Sequence, residues 1–292
     1  MNKMVFALPG NEQLADTIAV GLNCKQGKFE FRRFPDEETY IRLESDVNGK
    51  EVIIVCSLER PDNKFLPLYF LIEILKDAGA DKITLVSPYL AYMRQDKKFN
   101  PGECVTSGHF ANILSGFIDE LITVDPHLHR IKSLESIYAI PTKVIQSAPF
   151  ISKWIKENIK NPILIGPDME SKQWVSEVAK DAGAPYTVLL KSRLGDKNVK
   201  VSIPHIRKYL DNFTPVIVDD IISTALTMIK TIEHLKEEGA KAPVCIGIHA
   251  VFAGNAYNEL KQSGAKQIVT CNTIVHETNG IKLNTAIIKQ LS

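Results

Sequence analysis

Two adjacent aspartates, Asp219 and Asp220, close an apolar run and are followed at once by Ser223, Thr224 and Thr227 in the stretch TPVIVDDIISTALTM. An apolar run of this kind with no helical period reads as a strand buried on both faces, and the segment after it as a helix beginning near Ser223. The carboxyl end of a parallel strand facing a helix amino terminus gathers free N–H groups and the positive end of the helix dipole, which is a place for an anion. The hydroxyls would grip a phosphate. Two carboxylates would repel it, so they suit sugar hydroxyls or a cation instead. A sugar phosphate meets both needs, although Ser and Thr are also ordinary helix caps and Asp an ordinary strand terminator.

Four further clusters could carry chemistry. In VLLKSRLGD, Lys191 and Arg193 are spaced to face one way on an extended segment just before Gly195, and two cations on one point would stabilise charge on a transferring phosphoryl group. In TVDPHLHRI, Asp125 and His127 follow an apolar run; a metal ion that bridges phosphates keeps water and needs few protein ligands, so one imidazole and one or two carboxylates suffice. His129 is expected on the opposite side, in a structural role, and Asp168 in IGPDMESKQW is the counterpart of Asp125 in the second half. Arg94, Gln95, Lys97 and Lys98 crowd AYMRQDKKF, where cations and amides could meet a polyphosphate or simply face solvent. In RRFPDEE, Phe34 could stack on a base while Asp36 or Glu38 accepts from an exocyclic amine, or the whole tip could be solvated charge.

The elements that must position these groups follow from periodicity. Short apolar runs such as MVFALPG, EVIIVCSL, KITLVSPYL, ELITVDPH, PILIGPD, PVIVDD and PVCIGIHAVF alternate with amphipathic segments, among them Asn63 to Gly79, Val105 to Phe117, Glu170 to Ala182 and Ser223 to Gly239. This alternation predicts an α/β protein of mainly parallel sheets flanked by helices. The pattern plays twice, so two similar domains are expected, 1–145 and 146–292, with strand ends turned toward a shared cleft. KFEFRRFPDEETYIRL departs from the alternation and reads as a hairpin projecting from the first domain.

Composition narrows the class. A chain of 292 residues with 45% hydrophobic and 24% charged residues can bury a core, and a net charge of +1 gives no general field for nucleic acid or a membrane surface. Neither a secretory leader nor a bilayer-spanning stretch is legible, so the expected compartment is the cytoplasm. The five cysteines show no CxxC spacing and an odd count, which reads as reduced core residues rather than a disulfide or zinc framework.

Taken in order, Phe34-Pro-Asp36-Glu-Glu38, Arg94-Gln95-Asp96-Lys97-Lys98, Asp125-Pro-His127, Lys191-Ser-Arg193 and VDDIISTALTM resemble ribose-phosphate pyrophosphokinase over nearly the whole chain. The resemblance implies two phosphoribosyltransferase-like domains and transfer of the β,γ-diphosphoryl group of MgATP to ribose 5-phosphate. It implies that Phe34, Asp36 and Glu38 receive adenine, Arg94, Gln95 and Lys97 hold ATP, and His127, Asp125 and Asp168 serve Mg2+. Lys191 and Arg193 would act on the reaction itself, Asp219 and Asp220 on the ribose hydroxyls, and Ser223, Thr224, Ala225, Leu226 and Thr227 on the 5-phosphate. A homo-oligomer is implied as well. Two features depart from the family: Ala225 and Leu226 replace at least one glycine of the phosphate loop, and Met169 and Glu170 stand where many relatives have a glycine pair. An alanine forced into left-handed backbone is strained, whereas a loop in right-handed geometry loses little. The alternatives are a regulatory relative without turnover, or a phosphoribosyltransferase, which would not account for the hairpin and the Lys191–Arg193 pair.

Overall fold

The structure is a computed structural model that describes residues 2–167, 171–194, 198–202 and 212–292, with Leu190–Leu194 and Asn198–Ser202 described by their backbone. It divides into two compact units, 1–145 with 284–292, and 146–283. In the first unit the strands β1 (Lys3–Ala7), β2 (Lys25–Gln26), β5 (Glu51–Val55), β6 (Lys82–Ser87), β7 (Glu120–Val124) and β8 (Thr142–Ile145) form a sheet in the order β2-β1-β5-β6-β7-β8. Every pairing in it is parallel. Between β2 and β5 the chain makes the separate antiparallel hairpin β3 (Phe29–Arg33) and β4 (Thr39–Leu43).

The second unit repeats this plan. Its strands β9 (Pro162–Gly166), β10 (Tyr186–Val188), β13 (Thr214–Ile221), β14 (Val244–His249), β15 (Gln267–Cys271) and β16 (Asn279–Ile281) pair in parallel in the order β10-β9-β13-β14-β15-β16. In both sheets the second strand in sequence lies at one edge, beside the first. In both, a hairpin fills the connection from the second sheet strand to the third; here it is β11 (Leu190–Leu194) with β12 (Asn198–Ser202). The repeat legible in the sequence is thus a repeat of topology, hairpins included.

Composition explains why these runs are strands. EVIIV in β5 is buried from Val52 to Val55, and ELITV in β7 is buried throughout, as a parallel sheet covered on both faces requires. The helices supply that cover: α1 (Glu12–Gly21), α2 (Asp62–Asp77) and α3 (Thr106–Ser115) in the first unit, and α4 (Ala148–Asn158), α5 (Lys172–Ala182), α6 (Leu226–Glu237) and α7 (Ala256–Gln262) in the second. Leu68, Leu71, Ile72 and Leu75 give α2 a stripe at i, i+3, i+4 and i+7 that is wholly buried in the first core. All five cysteines are unbridged, and Cys56, Cys245 and Cys271 are buried.

The last helix, α8 (Asn284–Leu291), belongs with the first unit although its sequence follows the second. Ile288 packs on Gly21, where a Cβ would lie only 2.5 Å from its terminal methyl. Lys3 and Lys143 donate from Nζ to the carbonyls of Leu291 and Gln290 at 2.5 and 2.8 Å, capping the negative end of the helix. A domain boundary drawn once along the sequence cannot express this return.

Lys143 also joins Lys82 on Glu120, with contacts of 2.7 and 2.5 Å across neighbouring strands. The Glu120 side chain is 8% exposed; burial pushes its carboxyl up, but the hydrogen bonds from Lys143 and Lys82 outweigh this and hold it below the ordinary value of 4.5. A depressed folded value stabilises above the unfolded one and is lost as pH falls through the folded one. Glu120→Gln should therefore lower the unfolding free energy by about 1–2 kcal/mol at neutral pH, a figure kept small because both lysines are partly solvated. In urea titrations across pH 7 to 3 the gap between the two proteins should close as Glu120 itself protonates.

Candidate functional site

In the first unit two clusters of candidate residues sit beyond the carboxyl ends of β6 and β7, and a third on the tip of the β3–β4 hairpin. The crevice between β1 and β5, where the strand order reverses, is stitched by Asn11. Its buried amide donates to the Leu8 carbonyl at 3.1 Å and accepts from the Ser57 N–H at 2.8 Å. Chemistry-bearing side chains lie farther along the sheet. Arg94 and Lys97 are exposed, and Gln95 is half-buried with its carbonyl accepting from the Thr106 hydroxyl at 3.1 Å. The segment is tied down at Asp96, whose side chain is 1% exposed and pairs with Arg130 at 3.1 Å, linking the loop after β6 to the loop after β7. It turns at Tyr92, which adopts φ 63°. The Tyr92 hydroxyl donates to the Asp62 carboxylate, a bond that pushes it up to about 12.

The loop after β7 begins with another left-handed residue, Asp125 at φ 33°, and its carbonyl accepts from the His127 N–H at 2.9 Å. The chain turns here rather than continuing the strand. His129, expected on the far side from His127, lies against it: Nε2 of His129 is 3.2 Å from Nδ1 of His127, and the rings meet edge to face with centroids 4.1 Å apart. The signal was present in the sequence, since positions two apart share a face even on an extended chain. An imidazole and a carboxylate on one tight turn are a donor set that fits a divalent cation sharing its shell with phosphate oxygens and water.

The hairpin tip closes as a three-residue loop. The Glu37 N–H donates to the Phe34 carbonyl and the Phe34 N–H to the Glu38 carbonyl, both at 2.9 Å, with Glu37 left-handed at φ 69°. Arg33 fixes the tip by donating to the carbonyls of Glu37 and Asn63 at 2.9 and 3.3 Å, the latter on α2. Phe34 is 39% exposed beside Tyr40, and the Arg32 guanidinium lies 4.7 Å from one ring centroid and 4.0 Å from the other. An aromatic face backed by a cation, with Asp36 and Glu38 exposed on the same tip, is a stacking platform with acceptors at its edge.

In the second unit β13 delivers Asp219 and Asp220, both half-buried, at its carboxyl end. The turn that follows is anchored by Ile222, which is buried and fills the space that Gly247 leaves on β14; a Cβ there would lie 2.5 Å from the isoleucine side chain. Backbone bonds complete the anchor: Ile222 N–H to the His249 carbonyl at 3.0 Å, Phe252 N–H to the Ile222 carbonyl at 2.8 Å, and Ala253 N–H to the Ser223 carbonyl at 3.0 Å. Helix α6 begins at Leu226, so Ser223 and Thr224 belong to the turn and not, as the sequence suggested, to the helix. Ala225 caps it at φ 59° and ψ 1°, in the left-handed region that a glycine would occupy without strain. The first-turn N–H groups of a helix have no intrahelical partner, and here they follow directly on Ser223 and Thr224.

Lys191 and Arg193 occupy alternate positions of β11, in register with Val201 and Val199 of β12. Asp168, with Met169 and Glu170, and Gly195 lie outside the described residues. Lys172 is exposed at the start of α5.

Comparison with known proteins agrees with this layout. Residues 3–117 match the model of the N-terminal domain of ribose phosphate pyrophosphokinase, and residues 133–285 that of the phosphoribosyl transferase domain. The chain is 34% identical to a ribose-phosphate pyrophosphokinase of Sulfolobus acidocaldarius over 88% of each chain. It is 30% identical to one of Methanobrevibacter smithii over 97% of this chain and 98% of the other. The fold is that of a phosphoribosylpyrophosphate synthetase from Mycobacterium smegmatis, with a TM-score of 0.87 at 22% identity, covering 100% of this chain and 98% of that one. With both halves matched in order and such identity along nearly the full length, the chain belongs to the ribose-phosphate pyrophosphokinase family.

Proposed function

We propose that this protein is a ribose-phosphate diphosphokinase, transferring the β,γ-diphosphoryl group of MgATP to the 1-hydroxyl of ribose 5-phosphate to give phosphoribosyl pyrophosphate and AMP. The sugar oxygen bonds to the β-phosphorus, the bond from that phosphorus to the α,β-bridging oxygen breaks, AMP leaves with the bridging oxygen, and the hydroxyl proton passes to solvent. The observation that carries this reading is the turn from β13 to α6. Two half-buried carboxylates and a hydroxyl-bearing turn on a helix amino terminus form a receptor for a sugar phosphate, in a chain of this family.

The roles divide by chemistry. Asp219 and Asp220 accept hydrogen bonds from the ribose hydroxyls, while Ser223, Thr224 and Thr227 and the backbone at Ala225 and Leu226 hold the 5-phosphate. Phe34 stacks on adenine with Asp36 and Glu38 as acceptors, and Arg94, Gln95 and Lys97 bind the ATP polyphosphate. Lys191 and Arg193 stabilise the negative charge that builds around the β-phosphorus. Mg2+ sites, served by His127 and Asp125 in the first unit and by Asp168 in the second, would neutralise phosphate charge when filled. The exposed hairpin tip suits a subunit contact, so a homo-oligomer is part of the proposal. Among the described residues no helix is long and apolar enough to cross a membrane, and the proposed setting is the cytoplasm.

Two measurements follow. Lys191→Ala should lower the rate of AMP formation from ATP and ribose 5-phosphate at least about a hundredfold while the protein still binds ATP, as loss of a transition-state contact predicts. Equal rates in the two proteins would remove Lys191 from the reaction. Ala225→Gly should relieve about 1 kcal/mol of left-handed strain and raise the melting midpoint by roughly 2–4 °C. Ala225→Val should do the reverse and raise the KM for ribose 5-phosphate at least about tenfold, with the KM for ATP unchanged, because β-branched residues tolerate this backbone least.

A further inference from the structure

A cation site in the β7 loop assigns no role to His129, yet its ring lies against that of His127. From the 3.2 Å approach of His129 Nε2 to His127 Nδ1, we propose that the two imidazoles together chelate one divalent cation, and that this chain prefers an imidazole-seeking late first-row ion such as Co2+ or Zn2+ over Mg2+. The proposal rests on the reading above that this loop serves the metal.

Geometry is the first support. Two imidazole nitrogens bound to one cation at ordinary metal–nitrogen lengths stand about 3–3.5 Å apart, whether the angle between them is octahedral or tetrahedral. The observed separation of 3.2 Å already has that value, so binding needs the rings to reorient but the two nitrogens to move little. Without metal, one nitrogen must carry a proton to donate to the other. With metal, the donating ring carries its proton on the other ring nitrogen instead, and both freed lone pairs turn to the ion, which is the ordinary exchange of a hydrogen bond for a coordinate bond.

The second support is the backbone. Asp125 holds a left-handed φ of 33° and its carbonyl takes the His127 N–H, so the turn is tightened where it presents its side chains. Arg130, next in sequence, is clamped to the Asp96 side chain, fixing the far end of the same segment.

The third is ligand chemistry. A single imidazole beside carboxylates and phosphates leaves a site hard enough for Mg2+, which prefers oxygen and holds its water firmly. A second imidazole shifts preference toward Co2+, Ni2+ and Zn2+, in line with the general rise in affinity along that series.

The test is direct binding of Co2+ and of Mg2+ to the full chain by calorimetry, with the visible absorption of Co2+ reporting nitrogen ligation, in the wild-type protein, His129→Ala and His127→Ala. The wild-type should bind Co2+ at least about tenfold more tightly than Mg2+. His129→Ala should weaken Co2+ about 10- to 100-fold and change its absorption, while leaving Mg2+ affinity within about threefold and the melting midpoint unchanged. If His127→Ala weakens Co2+ but His129→Ala leaves affinity and spectrum alone, the second imidazole is not a ligand and the proposal fails by itself. If neither variant alters binding of either ion, the cation is held elsewhere and the assignment of His127 to the metal fails as well.

Discussion

Burial of both faces of a parallel sheet is the constraint on which everything else in this chain depends. Strands such as β5 and β7 have no solvent-facing side, so each must be covered by helices and followed by a crossover. That arrangement sends a helix amino terminus back from the carboxyl ends of β1, β5, β6, β9, β13 and β14, gathering unpaired N–H groups and positive dipole there. Polar side chains that could not survive within the strands collect in the same loops. Asp219 and Asp220, Asp125 and His127, and Arg94 and Gln95 all stand where a buried strand ends. The same strand order in both units, each with a hairpin between its second and third sheet strands, places the proposed adenine platform and the Lys191–Arg193 segment at equivalent points of one repeated plan.

Strain marks these loops. Tyr92, Asp125, Ala225 and Phe252 are non-glycine residues with positive φ, and each follows a sheet strand by a few residues. Left-handed backbone at such residues costs on the order of 1 kcal/mol or more each, and it persists only where surrounding contacts fix it. Those contacts are present. Tyr92 is held by Asp62, the β7 loop by the Asp96–Arg130 pair, and the turn around Ala225 by Ile222 against Gly247 together with backbone bonds from Phe252 and Ala253.

Much of this was legible in the sequence. Uninterrupted β-branched runs closed by Asp or Pro identified the strands and their ends, and the period around Pro35 identified the hairpin. Two features are not legible there, each for a physical reason, and a third is legible but easily misread. Ser223 and Thr224 are good cap residues, so the helix was read three residues early; the left-handed Ala225 delays its start. Helix α8 returns to the first unit through contacts with Gly21, Lys3 and Lys143, which only the fold brings near. The expectation that His129 faces away from His127 fails because residues two apart share a face on an extended chain, and the left-handed turn at Asp125 still leaves the two rings together.

The central claim is that the residues gathered at these strand ends move a diphosphoryl unit rather than a single phosphoryl group. It is tested most directly by following ATP, Mg2+ and ribose 5-phosphate with the purified chain by phosphorus NMR. AMP and a new pair of coupled resonances from a pyrophosphate on the sugar should appear together, and only when the sugar phosphate is present. ADP together with a singly phosphorylated sugar product, or AMP with free pyrophosphate and unchanged ribose 5-phosphate, would contradict it.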